Sequence, residues 1–351
     1  MRKFLFFGVL IIVSLTVVYM KLQEEPLSAR GNAPHHTQKG FRNPFPAIKR
    51  RGFGDFLKWI LFERRKNRKE YKPTGYVLKK AFNDGSFLHE NRTEFTVTWV
   101  GHSTVLFQLN GMNILTDPMW SERASPVSFV GPKRHIEPGI AFEHLPEIHV
   151  VLITHNHYDH LDADTIKRLG NKPLYLVPLG IGNFLVKLGI DHYQECDWWD
   201  TIHHESLKFA CTPSQHFSSR GLFDHNETLW CSWVVQGKSG SFYFAGDTGY
   251  SPLFKEIGKR FGPFDVACLP IGAYLPRWFM GPVHLSPGEA IQAYFDLQAR
   301  KFLAIHWGTF SLADDPPDLA PHVLLEEIKN HNLSDKDVWL FDIGEIRIVT
   351  P

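Results

Sequence analysis

The longest uninterrupted apolar stretch lies at the N-terminus, where residues 4–20 are seventeen uncharged, mostly aliphatic or aromatic residues between Arg2-Lys3 and Lys21. A helix needs about 20 residues to cross a bilayer, with about 17 the lower limit, whereas the apolar part of a cleaved signal runs about 7–15. The pattern predicts an uncleaved signal anchor over residues 1–22. The basic flank predicts a cytoplasmic N-terminus, which puts the rest of the chain on the periplasmic or extracytoplasmic side of the membrane. Residues 23–50 carry Pro26, Gly31, Pro34, Pro44 and Pro46 among few apolar positions and read as a linker. An aromatic stretch at 53–62 then runs into the basic cluster Glu63-Arg-Arg-Lys-Asn-Arg-Lys69.

From residue 91 the pattern changes to that of a globular body. Residues 95–100 alternate in strand fashion, and 104–109 with 112–116 predict a hairpin around Asn110-Gly111. Residues 149–154 are a continuous apolar strand, with a helix expected over 164–169. Further strands are expected at 174–177, 207–212, 229–235, 241–245, 266–270 and 302–305. Ser286-Pro287-Gly288-Glu289 opens a helix through 298, with serine as cap and proline in the first turn. Strands interspersed with helices predict an α/β layered domain over 91–351.

Charge sharpens the division. The net charge of +1 hides an N-terminal 90 residues with 18 Lys+Arg and 7 Asp+Glu, net +11, and a remainder at −10. Between Lys39 and Lys72 stand twelve basic and three acidic residues. Basic side chains beside aromatic ones suit an anionic membrane surface, where each contributes about 1 kcal/mol. A helix packed on the body with a solvated charged face fits the same pattern. No base-stacking or groove-reading module accompanies the charge, so no nucleic acid is expected. Four cysteines without a C-x-x-C pair exclude a disulfide scaffold and a cysteine zinc finger.

Histidine is the chemically telling residue, at 19 copies. The apolar strand ending at Thr154 delivers His155-Asn-His157-Tyr-Asp159-His160, four potential metal ligands within six residues. His155 and His157 can point the same way from an extended segment and share one ion, while Asp159 and His160 turn elsewhere and can serve a second. Imidazole and carboxylate without thiolate suit Zn²⁺, with Mn²⁺ or Fe²⁺ compatible. His216, Asp247 and His306 each follow an apolar run, and a carboxylate such as Asp247 can bridge two ions. His102, His135, His192 and His225 read as structural.

These motifs resemble the metallo-β-lactamase superfamily. Within it the chain is similar to the N-acylphosphatidylethanolamine-hydrolysing phospholipase D family, through Thr98-Trp-Val-Gly-His102, Asp197-Trp-Trp199, Pro276-Arg-Trp-Phe-Met280 and Ala304-Ile-His-Trp-Gly-Thr-Phe310. The resemblance spans residues 95–310 and implies an αββα sandwich with metals at the strand ends. It implies a zinc ion on His155, His157 and His216, another on Asp159, His160 and His306, and Asp247 on both. It also implies Asp247 and His284 as catalytic residues, His284 near the substrate phosphate as hydrogen-bond donor or proton source. The implied reaction releases N-acylethanolamine and phosphatidic acid from a phospholipid. Ser128-Phe129 stands where mammalian relatives carry Gln-Tyr at the substrate entrance. Trp278-Phe279-Met280 reads equally as an acyl groove or as core. The expected partners are a phospholipid substrate and a membrane, with a homodimer open. The rival readings are a lactonase or another phosphodiesterase of the same fold, and a membrane-tethered metal-binding protein without turnover.

Overall fold

Alternating side chains give every strand two faces, and here both faces of the central strands are apolar, as expected where helices cover a sheet. The computed structural model describes residues 33–45, 51–221 and 223–350. A short hairpin, β1 (His36–Thr37) and β2 (Gly40–Phe41), precedes the body. Six strands follow in order: β3 (Thr96–Gly101), β4 (Thr104–Leu109), β5 (Met112–Thr116), β6 (Val150–Leu152), β7 (Leu174–Pro178) and β8 (Tyr193–Cys196). The second sheet comprises β9 (Thr201–His204), β10 (Leu207–Thr212), β11 (Ser232–Gly237), β12 (Gly240–Phe244), β13 (Phe264–Pro270), β14 (Ala299–Ile305) and β15 (Val338–Trp339). The chain then returns to the first sheet as β16 (Ile346–Ile348), giving the orders β16-β3-β4-β5-β6-β7-β8 and β15-β14-β13-β12-β11-β10-β9.

The inner faces meet in one core. Phe107 of β4 stacks on Phe242 of β12 with ring centroids 3.7 Å apart, and Val97, Trp99, Val150 and Leu176 join them. Each such buried side chain contributes about 1.5–3 kcal/mol. The intervening Leu106, Val151, Tyr175 and Val177 face outward onto the helices Ala163–Leu169 and Gly182–Lys187. Helices Leu253–Phe261, Pro287–Asp296 and Leu319–Asn330 cover the second sheet. The result is the expected αββα sandwich.

Several local expectations hold in detail. Asn110 and Gly111 turn the β4–β5 hairpin with φ of 53° and 77°, and Leu109 pairs with Met112. Ser286 Oγ accepts from Glu289 N and Glu289 Oε2 accepts from Ser286 N, a reciprocal cap. The strand expected from 229 begins instead at Ser232. Leu229 and Cys231 spend their N–H groups on the carbonyls of Leu179 and Thr154, which ties the second sheet to the first.

Residues 33–45 depart from the reading of a linker, and the aromatic-basic stretch takes the packed-helix alternative. Helices Phe53–Lys58 and Arg64–Glu70, joined by a π turn over Trp59–Glu63, dock on the body. Trp59 is buried, its Nε1 donates to Asp314 at 2.7 Å, and its ring stacks on Phe279. Asn67 donates to the same carboxylate, and the N–H groups of Thr74 and Gly75 donate to Asp318. The expected anchor at 1–22 lies outside the described residues. Among the described residues no helix is long and apolar enough to cross a membrane.

Candidate metal centre

Sheet direction decides where the site lies. β5 to β8 run parallel, as do β12 to β15, and β10 is antiparallel to β11, itself antiparallel to β12. The strands that precede the expected ligands therefore end at one edge of the sandwich. His155 follows β6, His216 follows β10, Asp247 follows β12 and His306 follows β14. The chain leaves these strands through tight turns. Gly246 has a φ of 58°, and a Cβ there would sit 2.6 Å from the Thr154 side chain. His102, Asp117 and His306, all non-glycine, adopt φ values of 53°, 35° and 60°. Such backbones persist only when packing over-determines them.

The seven expected ligands converge in two abutting clusters. In the first, His155, His157, His216 and Asp247 bring one ligand atom each within 4.8 Å of the others. His155 Nε2 lies 2.9 Å from His157 Nδ1, which is 3.4 Å from His216 Nε2. In the second, Asp159, His160 and His306 are joined by His102. Asp247 touches both: Oδ2 lies 3.3 Å from His160 Nε2 and 3.8 Å from His216 Nε2, and Oδ1 lies 3.1 Å from His306 Nε2. His284 completes the centre, its Nδ1 3.9 Å from Asp247 Oδ2.

Hydrogen bonds behind the rings leave the inward nitrogens bare. His160 Nδ1 donates to Asp117 and His216 Nδ1 donates to the Val283 carbonyl. Thr154 Oγ1 donates to Asp117 and accepts from His155 Nδ1 at 2.9 Å. A carboxylate or carbonyl behind a ligating imidazole is the usual arrangement at metal sites. His160 Nε2 and Asp247 Oδ1 are buried yet lack a well-directed hydrogen bond. Burial holds His155 far below the ordinary histidine range and brings His157, His216 and His284 down to about 3. At His306 burial is outweighed by Asp247 and Asp159, which push it up to about 9. Two buried carboxylates thus draw a proton where a divalent cation would satisfy them. Nitrogen and oxygen donors, inward orphans and no thiolate fit a bound metal.

Sequence reasoning missed four participants. His102, read as structural, places Nε2 2.9 Å from Asp159 Oδ2 and belongs to the second cluster; its signal was its place in the Gly-His turn after a strand. Asp117 supports His160. Arg220 donates to the carbonyls of Asn156 and Leu161, bracing the ligand loop, and Asn43 bonds the backbone of His216. Nothing in local pattern marks these last two. His135 and His192 lie at the surface, bonded to Ser311 and Lys172, as expected of structural residues. Phe279 and Met280 pack in a small cluster with Ala273, Leu312 and Ala313, and Phe279 reaches Trp59, favouring packing over an acyl groove.

A family model described as "Beta-lactamase superfamily domain" matches residues 112–307. N-acyl-phosphatidylethanolamine-hydrolyzing phospholipase D 1 of Caenorhabditis elegans is 41% identical over 264 residues, covering 71% of this chain and 74% of the relative. The mitochondrial N-acyl-phosphatidylethanolamine-hydrolyzing phospholipase D of Saccharomyces cerevisiae is 37% identical over 227 residues, 62% of this chain and 48% of that one. The crystal structure of an isothiocyanate hydrolase from Delia radicum gut bacteria superposes with a TM-score of 0.61 at 20% identity, covering 73% of this chain and 100% of the other. That likeness establishes the fold.

Proposed function

From the chain's membership of the N-acylphosphatidylethanolamine-hydrolysing phospholipase D family, within the metallo-β-lactamase superfamily, we propose that this metal-dependent hydrolase is a dinuclear zinc phosphodiesterase. Its substrate is N-acylphosphatidylethanolamine, cleaved between phosphorus and the ethanolamine oxygen to give N-acylethanolamine and phosphatidic acid. The observation that carries the reading is Asp247, whose Oδ2 lies between His216 of the first cluster and His160 of the second while Oδ1 faces His306 of the second.

His155, His157 and His216 would hold one ion, Asp159, His160 and His306 the other, and Asp247 both. When bound, such a pair supplies Lewis acidity toward phosphoryl oxygens and lowers the pKa of water towards about 7. The chain's own residues bind and orient. His284 is neutral in its buried setting, so one ring N–H is available to a phosphoryl oxygen while the ring stays near Asp247. Its backbone is fixed from both sides, by Met280 O and by Arg277, which in turn pairs with Glu289.

The surroundings suit a lipid. Leu61 and Phe62 are 65% and 76% exposed on the basic docked helix segment, and Phe129 is 81% exposed. We assign them, together with an N-terminal anchor, to a membrane surface on the extracytoplasmic side.

The deciding experiment is mass spectrometry of the products formed by metal-loaded full-length protein from N-acylphosphatidylethanolamine, a bis-aryl phosphodiester and an acyl-homoserine lactone. Paired phosphatidic acid and N-acylethanolamine are expected. Turnover of the lactone alone would end the phosphodiesterase reading.

A further inference from the structure

The hairpin before the body touches the metal centre at a point that no sequence motif marks. Asn43 Nδ2 donates to the His216 carbonyl at 2.8 Å, and Asn43 Oδ1 accepts from the His216 N–H at 3.1 Å. One side chain thus satisfies both backbone groups of a residue in the first cluster. His216 follows a strand but is not in one, so its backbone has no ladder partner to fix it. Its ring is held separately, by Nδ1 donating to Val283.

The hairpin is itself pinned at three further places. Phe41 N donates to Asn226 O at 2.9 Å, at the far end of the loop that starts at His216. Gly40, with φ 134°, lies so close to Asn226 that a Cβ would sit 2.0 Å from its carbonyl oxygen. His35 Nε2 and His36 Nε2 lie 2.6 Å and 2.8 Å from the two oxygens of Asp197, and His35 stacks on Trp198. These two separations are those of hydrogen bonds. Facing nitrogen and oxygen atoms in the main centre stand mostly 3.1–3.8 Å apart. The trio therefore reads as an anchor rather than a third metal site.

We propose that residues 33–45 are a clasp that positions His216 for metal, with Asn43 as the positioning residue; the inference rests on the metal-centre reading above. Proline and glycine spacing made this segment look like a linker. In the structure it closes the first cluster from outside the αββα domain. Among the described residues its hydrogen bonds to the metal centre go to His216 alone, so the clasp acts on one ion of the pair.

The test compares detergent-solubilised full-length protein loaded with cadmium-113, read by its NMR signals and by chelator competition, with His216→Ala as the reference for the first cluster. The native protein should show two resonances, one of them absent in H216A. Asn43→Ala should shift or broaden that same resonance and weaken that ion by about 10–100-fold, the usual effect of removing support behind a ligand. The other resonance should stay in place. Should N43A not fold by circular dichroism, Asn43→Asp decides, since it keeps the acceptor for His216 N–H and replaces the donor to His216 O; a smaller change confined to the same ion is expected. Unchanged affinity, or equal weakening of both ions, overturns the clasp while leaving the metal centre standing. Native protein that binds no cadmium overturns both.

Discussion

Asp117 and His160 meet behind the metal centre: Oδ2 of the carboxylate accepts from Nδ1 of the imidazole at 2.7 Å, with both side chains fully buried. The same carboxylate accepts from Thr154 N and Thr154 Oγ1, and that hydroxyl in turn supports His155. One carboxylate therefore orients an imidazole in each cluster. Asp117→Asn should keep the shape but lose the charge behind His160. Metal affinity or activity is expected to fall about 10–100-fold. Metal analysis after graded dialysis measures it, and full retention of both ions would show that Asp117 is not needed to orient them.

His102 lies on the other side of the second cluster. Asp159 loses a buried partner when that ring is removed, so His102→Ala should lower turnover and loosen the ion held by Asp159. The ion held by His155, His157 and His216 should be spared. Steady-state kinetics with metal stoichiometry distinguishes this from general unfolding, which would release both.

Activity should vanish on chelation and return with zinc. Asp247→Asn should not be rescued by added zinc, because the carboxylate faces His216 of the first cluster as well as His160 and His306 of the second. If D247N retains full turnover, the protein does not work through this centre.

The docked helix segment separates stability from lipid access. Trp59→Ala removes a buried ring that stacks on Phe279 and takes one of the hydrogen bonds from the Asp314 carboxylate, leaving it that of Asn67. Loss of a buried aromatic costs about 3–5 kcal/mol at a core site, so a clear drop in the unfolding midpoint is expected. A free linker would give none.

Phe62→Asp, on the same segment but exposed, should leave that midpoint unchanged. It should slow hydrolysis of substrate in anionic vesicles while sparing a short-chain soluble analogue, because only the vesicle assay needs the surface contact. Equal rates on both would remove the helix from membrane docking.

Local pattern determined much of this protein. Two-residue alternation and unbroken apolar runs placed the strands around His155, His216, Asp247 and His306, because periodicity and burial are written residue by residue. The Asn-Gly turn and the Ser286 cap were legible for the same reason. The clustered histidines announced metal because four potential ligands within six residues already lie near one another in space. Tertiary structure alone decided the support. Asp117 and His160 are 43 residues apart and Asn43 and His216 are 173 apart, so no local spacing encodes their contact. It also decided where residues 33–45 and 51–90 dock. Prolines, glycines and polar side chains suit a solvated linker equally well until Asp314 meets Trp59 and Asn67, and Asp197 meets His35 and His36, across the chain.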